Sequence, residues 1–283
     1  MLLHFADATG DYESSKYVIF SVPYDSTSSF RHGSKFAPDE IRKASYNLES
    51  YLVEHSFDMG SIGIHDLGHI ISPDEDAGPE DVVNAVEFYA SKFFSEGKFP
   101  IMLGGEHSIS AGIARALPEN TGIIFIDAHS DFRDEYMGTK WSHACWARRA
   151  FESTSGKVFA LGIRSVSREE IEQAKKLGYR WLTSYEIMEM GIEEAIRIAI
   201  DHLGTEKFYL SIDIDGISAE YAPGTGTPEF FGLAPLDVKK AIDILGPRLI
   251  GADIVEVNPE YDNGNTAILA ARLVQEIIAA SSQ

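Results

Sequence analysis

The chain has 283 residues, 44% hydrophobic and 24% charged, which excludes a disordered or fibrous chain and suits one large α/β domain spanning residues 1–283. A net charge of −20 excludes a nucleic-acid binder, which needs a basic footprint, and the single cysteine, Cys145, excludes an internal disulfide and a cysteine-rich zinc module. The N-terminus, Met1-Leu-Leu-His-Phe-Ala-Asp, lacks the parts of a signal peptide and no apolar run is of membrane-spanning length, so a cytoplasmic protein with no membrane partner is expected. The excess carboxylate suits a soluble surface or the attraction of a cationic partner.

In chain order, apolar runs predict a strand at Tyr17 to Val22, a helix start at Pro38-Asp39-Glu40, a strand at Ile62 to Leu67 and a loop at Ser72 to Pro79. A helix over Pro79 to Glu96 follows, with apolar residues at three- and four-residue spacing, and then strands at Phe99 to Leu103, Gly122 to Asp127 and Val158 to Leu161. The remaining elements are a short strand at Arg180 to Leu182, strands at Lys207 to Ile212 and Leu249 to Val255, a loop at Ala222 to Gly232, and a helix at Thr266 to Ala280. Helices between strands in this alternation imply a mainly parallel sheet.

Three of these strands end in metal-ligand chemistry. Asp127, His129 and Asp131 recur at every second position, so an extended backbone points all of them one way. Asp213 and Asp215 repeat the device after Phe208 to Ile212, and Gly104-Gly105-Glu106-His107 ends the strand from Phe99. An Asp after a strand is ordinarily a cap or turn residue. Six such groups converging without a cation would repel one another and lose hydration, so bound metal is the simpler reading. Four carboxylates and two imidazoles without thiolate suit Mn²⁺ better than Zn²⁺, and six ligand residues suit two ions.

These stretches resemble the arginase/agmatinase (ureohydrolase) family along nearly the whole chain. The motifs that carry the resemblance are Gly104-Gly105-Glu106-His107-Ser108, Asp127-Ala128-His129-Ser130-Asp131, Ser142-His143, Ser211-Ile212-Asp213-Ile214-Asp215-Gly216, Ala222-Pro223-Gly224-Thr225-Gly226-Thr227-Pro228-Glu229 and Glu256-Val257-Asn258-Pro259. The resemblance implies a three-layer α/β/α sandwich around the sheet, two Mn²⁺ per subunit, and a homo-oligomer, trimeric or hexameric. It assigns His107 and Asp131 to one ion, His129 and Asp215 to the other, and Asp127 and Asp213 as bridges. It implies that His143 is a mobile catalytic histidine and that Glu256 receives a guanidinium; the mechanism expected from these parts has Asp131 take the proton of the attacking water and His143 relay one to the departing amine.

A guanidinium is resonance-stabilised and cationic, so neutral water attacks it slowly, and metal coordination can lower the pKa of water from 15.7 to roughly 7. The expected reaction is hydrolysis of agmatine to putrescine and urea. Acidic Asp134 and Glu135, in the loop after Asp131, are expected to favour an amine-tailed substrate, with Arg133 offsetting one of them. N1-aminopropylagmatine, guanidinobutyrate and arginine are the alternatives.

The chain departs from the family pattern at Ala144-Cys145-Trp146, at Ile217-Ser218-Ala219 and at Phe230-Phe231, none of which is a ligand position. Cys145 is read as a buried small residue rather than a thiol nucleophile. His4, His32, His55, His65, His69 and His202 are read as surface or packing residues, and Tyr24 to Gly33 as an active-site rim or a plain loop. A single-metal deacetylase of related fold and a silent metal-binding scaffold are the competing classes. The second aspartate pair and Glu256-Val-Asn-Pro count against the first, and retention of the whole ligand set counts against the second.

Overall fold

Among the described residues, eight strands form one sheet in the order β4-β1-β5-β10-β9-β6-β7-β8, with every neighbouring pair parallel. They are β1 (Tyr17–Val22), β4 (Ile64–His69), β5 (Phe99–Gly104), β6 (Thr121–Ile126), β7 (Val158–Ile163), β8 (Arg180–Thr183), β9 (Lys207–Asp213) and β10 (Leu249–Val255). A two-stranded antiparallel ribbon, β2 (Tyr51–Leu52) with β3 (Phe57–Asp58), stands apart. The computed structural model describes residues 3–72 and 76–283. The loop expected at 72–79 and the N-terminal segment therefore lie partly outside the described residues.

Parallel strands covered on both faces read as continuous apolar runs, and all six residues of β1 are buried. Tyr17, Ile19, Leu103, Ile126 and Leu210 point to one core, where α1 (Ala37–Ser45), α6 (Ser184–Met190), α7 (Ile192–Leu203), α8 (Pro235–Leu245) and α9 (Asn265–Ala280) lay their apolar faces. Val18, Phe20, Val22, Phe125 and Tyr209 point to the other, against α2 (Pro79–Ser95), α3 (Ser110–Ala116), α4 (Trp146–Ser153) and α5 (Arg168–Leu177). This is the three-layer α/β/α sandwich expected.

Helix starts follow local chemistry. Pro38 with Asp39 and Glu40 opens α1, Pro79 with Glu80 and Asp81 opens α2, and Ser167 and Glu170 form a reciprocal capping box on α5. One strand departs from expectation: the run read as Ile62 to Leu67 pairs as Ile64–His69. Its interior Asp66 is neutralised by Arg42 of α1, whose Nε and Nη2 donate to the two carboxylate oxygens at 2.8 and 2.7 Å.

β5 and β6 are consecutive in sequence but lie on either side of β10 and β9. The chain turns back after β8 to fill the gap between them, so the connections leaving the neighbours β9 and β6 lead to opposite sides, and loops diverging at such a point leave a crevice beyond the strand C-termini.

Candidate metal centre and active site

That crevice receives one group of side chains from each of the four central strands. His107 follows β5, Asp127 follows β6, Asp213 ends β9 and Glu256 follows β10. His107 Nδ1 lies 3.1 Å from Asp213 Oδ2, 3.2 Å from Asp127 Oδ2 and 3.6 Å from Asp131 Oδ2. His129 Nδ1 lies 3.0 Å from Asp215 Oδ2 and 3.6 Å from Asp127 Oδ1.

Two groups therefore have ligand atoms all within 4.8 Å of one another: His107 with Asp127 and Asp213, and Asp127 with His129 and Asp215. Asp127 is common to both. Asp213, also expected to bridge, meets only the His107 group, because its Oδ1 accepts the Asp215 backbone N–H at 2.9 Å. Asp131 reaches this place in a left-handed backbone conformation (φ 47°), strain of the kind that clusters at functional sites.

The residues fit a pair of cations. Asp127 Oδ2 is buried with no hydrogen-bond partner among the described residues. Burial, then the charge of neighbouring carboxylates, raises the pKa values of Asp131 and Asp213 well above the usual range. Burial acts the same way on Asp215, but His129 outweighs it and holds that group low. Such a set is stable when positive charge is supplied.

The ligand atoms are aimed by their neighbours. His107 Nε2 meets Ser211 Oγ at 2.9 Å, and Ser211 donates to Asp253 Oδ1 at 2.5 Å, so the relay leaves Nδ1 of His107 free to face the carboxylates. The Trp146 ring stacks on His107, centroids 4.1 Å apart, which gives the departure at Ala144-Cys145-Trp146 a role. Thr227 donates to Asp215 Oδ2 at 3.0 Å. Sequence reading missed Ser211, Asp253 and Trp146; the available signal was Asp253, a lone acid inside the apolar run of β10.

Glu256 also has a left-handed backbone (φ 61°). Its Oε1 accepts the His107 N–H at 2.8 Å, and its own N–H donates to Gly105 O at 2.7 Å. Gly105 has to be glycine, since a Cβ there would sit 2.0 Å from Tyr24 O. Burial, then the charge of Glu106, raises the Glu256 pKa well above the carboxylate range, so an arriving cation would be welcome. Asn258, two residues on, donates to Arg31 O and His32 O and ties down the Tyr24 to Gly33 loop.

A cavity of about 350 Å³ opens over these groups. His129, Asp131, Asp213, Asp215, Glu256 and His143 line it, and Ser28 to Arg31 form part of its wall, so the loop is a rim. Burial pushes the His143 pKa down to about 4, with the charge of His129 acting in the same direction, so its imidazole is neutral at pH 7.

Asp134 and Glu135 do not join the cavity. Asp134 is exposed and held by Arg149 of α4 at 2.7 Å, and Glu135 is exposed, so their expected role toward a substrate tail has no geometric basis here. Arg31 and Arg133 line the cavity instead.

Of the other histidines, His32 bonds Asp25 O, His65 bonds Gly10 O, His69 meets Ser21 and Asp39, and His202 packs on Phe159. His55 sits with Asp243 and Glu276, where Lys239 already supplies the positive charge.

The arginase family pattern matches residues 15–280. An agmatinase of Halalkalibacterium halodurans is 36% identical over 282 residues, covering 97% of this chain and 95% of that one. The chain belongs to the arginase family. A guanidinobutyrase of Pseudomonas aeruginosa is 31% identical over 98% of this chain and 90% of its own. The crystal structure of an agmatine ureohydrolase of Thermoplasma volcanium superposes with TM-score 0.94 at 47% identity, covering 100% of this chain and 95% of that one. This arginase-family chain is a ureohydrolase, a hydrolase of guanidino compounds. Family members bind a binuclear metal site, and the two groups sharing Asp127 are its candidate ligands here. Among the described residues no helix is long and apolar enough to cross a membrane.

Cys145 follows His143 by two residues. It is buried, and burial pushes its thiol up to about 12. Cys145→Ala should keep urea release within about twofold of the unmodified enzyme, since a thiol that stays protonated is a poor nucleophile. A loss of a hundredfold or more in steady-state assays would restore the thiol to the mechanism.

Proposed function

We propose that the chain hydrolyses agmatine to putrescine and urea, with two Mn²⁺ held by His107, Asp127, Asp131, His129, Asp213 and Asp215. The observation that carries this reading is the pair of ligand groups sharing Asp127, whose His129, Asp213 and Asp215 line one cavity with Glu256. The hard oxygen and imidazole donors, without thiolate, support manganese. When bound, such ions acidify water, from a pKa of 15.7 toward about 7, and so supply a nucleophile at neutral pH.

The chain's own residues do the rest. Glu256, with Oε1 already occupied by the His107 N–H, offers Oε2 to the guanidinium and orients its carbon. The Asp131 carboxylate holds the proton released by the attacking water. His143, neutral and lining the cavity, takes up that proton from Asp131 and passes it to the departing amine, which is too basic to leave without one. Such help contributes about 10² to 10⁴ in rate. Family resemblance supports a cytoplasmic homo-oligomer, trimeric or hexameric, which light scattering would size.

One observation favours a second reading. Arg31 and Arg133 line the cavity while Asp134 and Glu135 lie outside it, so a carboxylate-tailed compound such as guanidinobutyrate has partners there. Urea release from agmatine, N1-aminopropylagmatine, guanidinobutyrate and arginine with Mn²⁺ added separates the two. The expected result is a kcat/KM for agmatine at least about tenfold above the others, one decade being about 1.4 kcal/mol of transition-state binding. A preference for guanidinobutyrate selects the second reading, and a preference for arginine overturns both.

A further inference from the structure

Glu106 stands in the Gly104 to Ser108 motif beside a ligand, yet neither metal group includes it. It is wholly buried and accepts three hydrogen bonds: from Thr27 N at 2.7 Å, Thr27 Oγ1 at 2.5 Å and Ser108 Oγ at 2.6 Å. Thr27 in turn meets His143 twice, accepting its backbone N–H at 3.0 Å and lying 3.2 Å from Nδ1. Ser142 Oγ lies 3.3 Å from the same nitrogen, and the Tyr136 ring meets the imidazole edge to face at 5.8 Å.

A threonine hydroxyl has one proton. Given to Glu106, it leaves Thr27 Oγ1 able only to accept from His143, and with Ser142 Oγ, the longer contact, free to accept as well, this favours the hydrogen on Nδ1 and leaves Nε2 as the atom that exchanges a proton. We propose that Thr27, clamped by Glu106, is a positioning residue that fixes the tautomer and ring orientation of His143. The two loops are locked at the backbone as well, through Glu106 N to Tyr24 O at 2.8 Å and Gly105 N to Val22 O at 3.0 Å. A misplaced hydroxyl therefore cannot be recovered by loop adjustment. The inference rests on the proposed role of His143, and its test separates the two.

The test measures urea release, metal content and melting temperature for Thr27→Val, Thr27→Ser, His143→Ala and the double variant Thr27→Val/His143→Ala, all as Mn²⁺-loaded full-length enzyme. Thr27→Val, which keeps shape and removes the hydroxyl, should lower kcat about 10- to 100-fold with KM and bound metal unchanged, as losses of orienting partners typically do. Thr27→Ser should return to within about threefold. In the His143→Ala background the Thr27 change should cost nothing further, because the group it positions is gone. Equal losses in both backgrounds, or none in the unmodified enzyme while His143→Ala is slow, would overturn the positioning role. Full activity in His143→Ala would instead overturn the role given to His143 and the inference with it. If Thr27→Val gives no melting transition, Thr27→Ala serves in the same comparison.

Discussion

Asp127→Ala lowers kcat/KM by roughly 10³- to 10⁵-fold and leaves fewer than two metal ions per chain, because Asp127 is the one ligand common to both groups. Losing it opens both coordination sets, whereas losing His129 or Asp215 would open one. Metal analysis alongside urea assays checks the expectation. The rise in melting temperature on adding Mn²⁺ should shrink, because that gain depends on binding to the folded state. Near-normal turnover with two ions bound would defeat the shared-ligand assignment.

The second large effect is on stability and lies away from the cavity. Arg42 is fully buried, donates twice to Asp66 and once to Ser21 Oγ at 3.0 Å, and so joins α1 to β4 and β1. Asp66 accepts two backbone N–H groups as well, from Phe5 at 2.7 Å and Gly68 at 2.9 Å. Arg42→Ala leaves this carboxylate buried without its counter-ion, at a cost of about 3 to 5 kcal/mol. Chemical denaturation would show a lower midpoint at unchanged slope. Arg42→Met combined with Asp66→Leu should cost less than Arg42→Ala alone, and the reverse order would refute the account. Burial opposes ionisation of Asp66, but Arg42 and the backbone donors outweigh it and hold its pKa below the ordinary 3.8. Its contribution is therefore complete above about pH 4 and lost as the pH falls through the depressed value.

The same pair explains where the sequence was hard to read. β1, β5, β6, β9 and β10 were legible because both of their faces are covered, so their apolar runs are nearly unbroken. β4 was placed two residues early because its apolar run starts at Ile62 and stops at Leu67, whereas the pairing extends over Gly68 and His69, and Arg42, 24 residues from Asp66, is what lets that acid sit inside the strand. The candidate ligands were legible for a local reason, since Asp127, His129 and Asp131, and again Asp213 and Asp215, recur with period-two spacing at a strand end, and His107 stands just beyond β5. The supporting contacts were not: Thr27 lies 79 residues from Glu106 and 116 from His143. Asp134 and Glu135 misled because they sit next to a ligand in sequence, and nothing local reveals that Arg149 draws Asp134 away.

The position of β10 has a temporal consequence. It follows the other seven strands of the sheet in sequence, yet it is inserted between β5 and β9, at the middle of the sheet, and it carries the Asp253 that braces His107 through Ser211 and leads directly into Glu256. A growing chain that has emerged only through β9 has the loops bearing His107, Asp127 and Asp213 but not the strand that brings β5 and β9 together. The cavity therefore closes only once β10 has joined the sheet, and a chain cut short before Leu249 is expected to release no urea in an assay beside the intact protein.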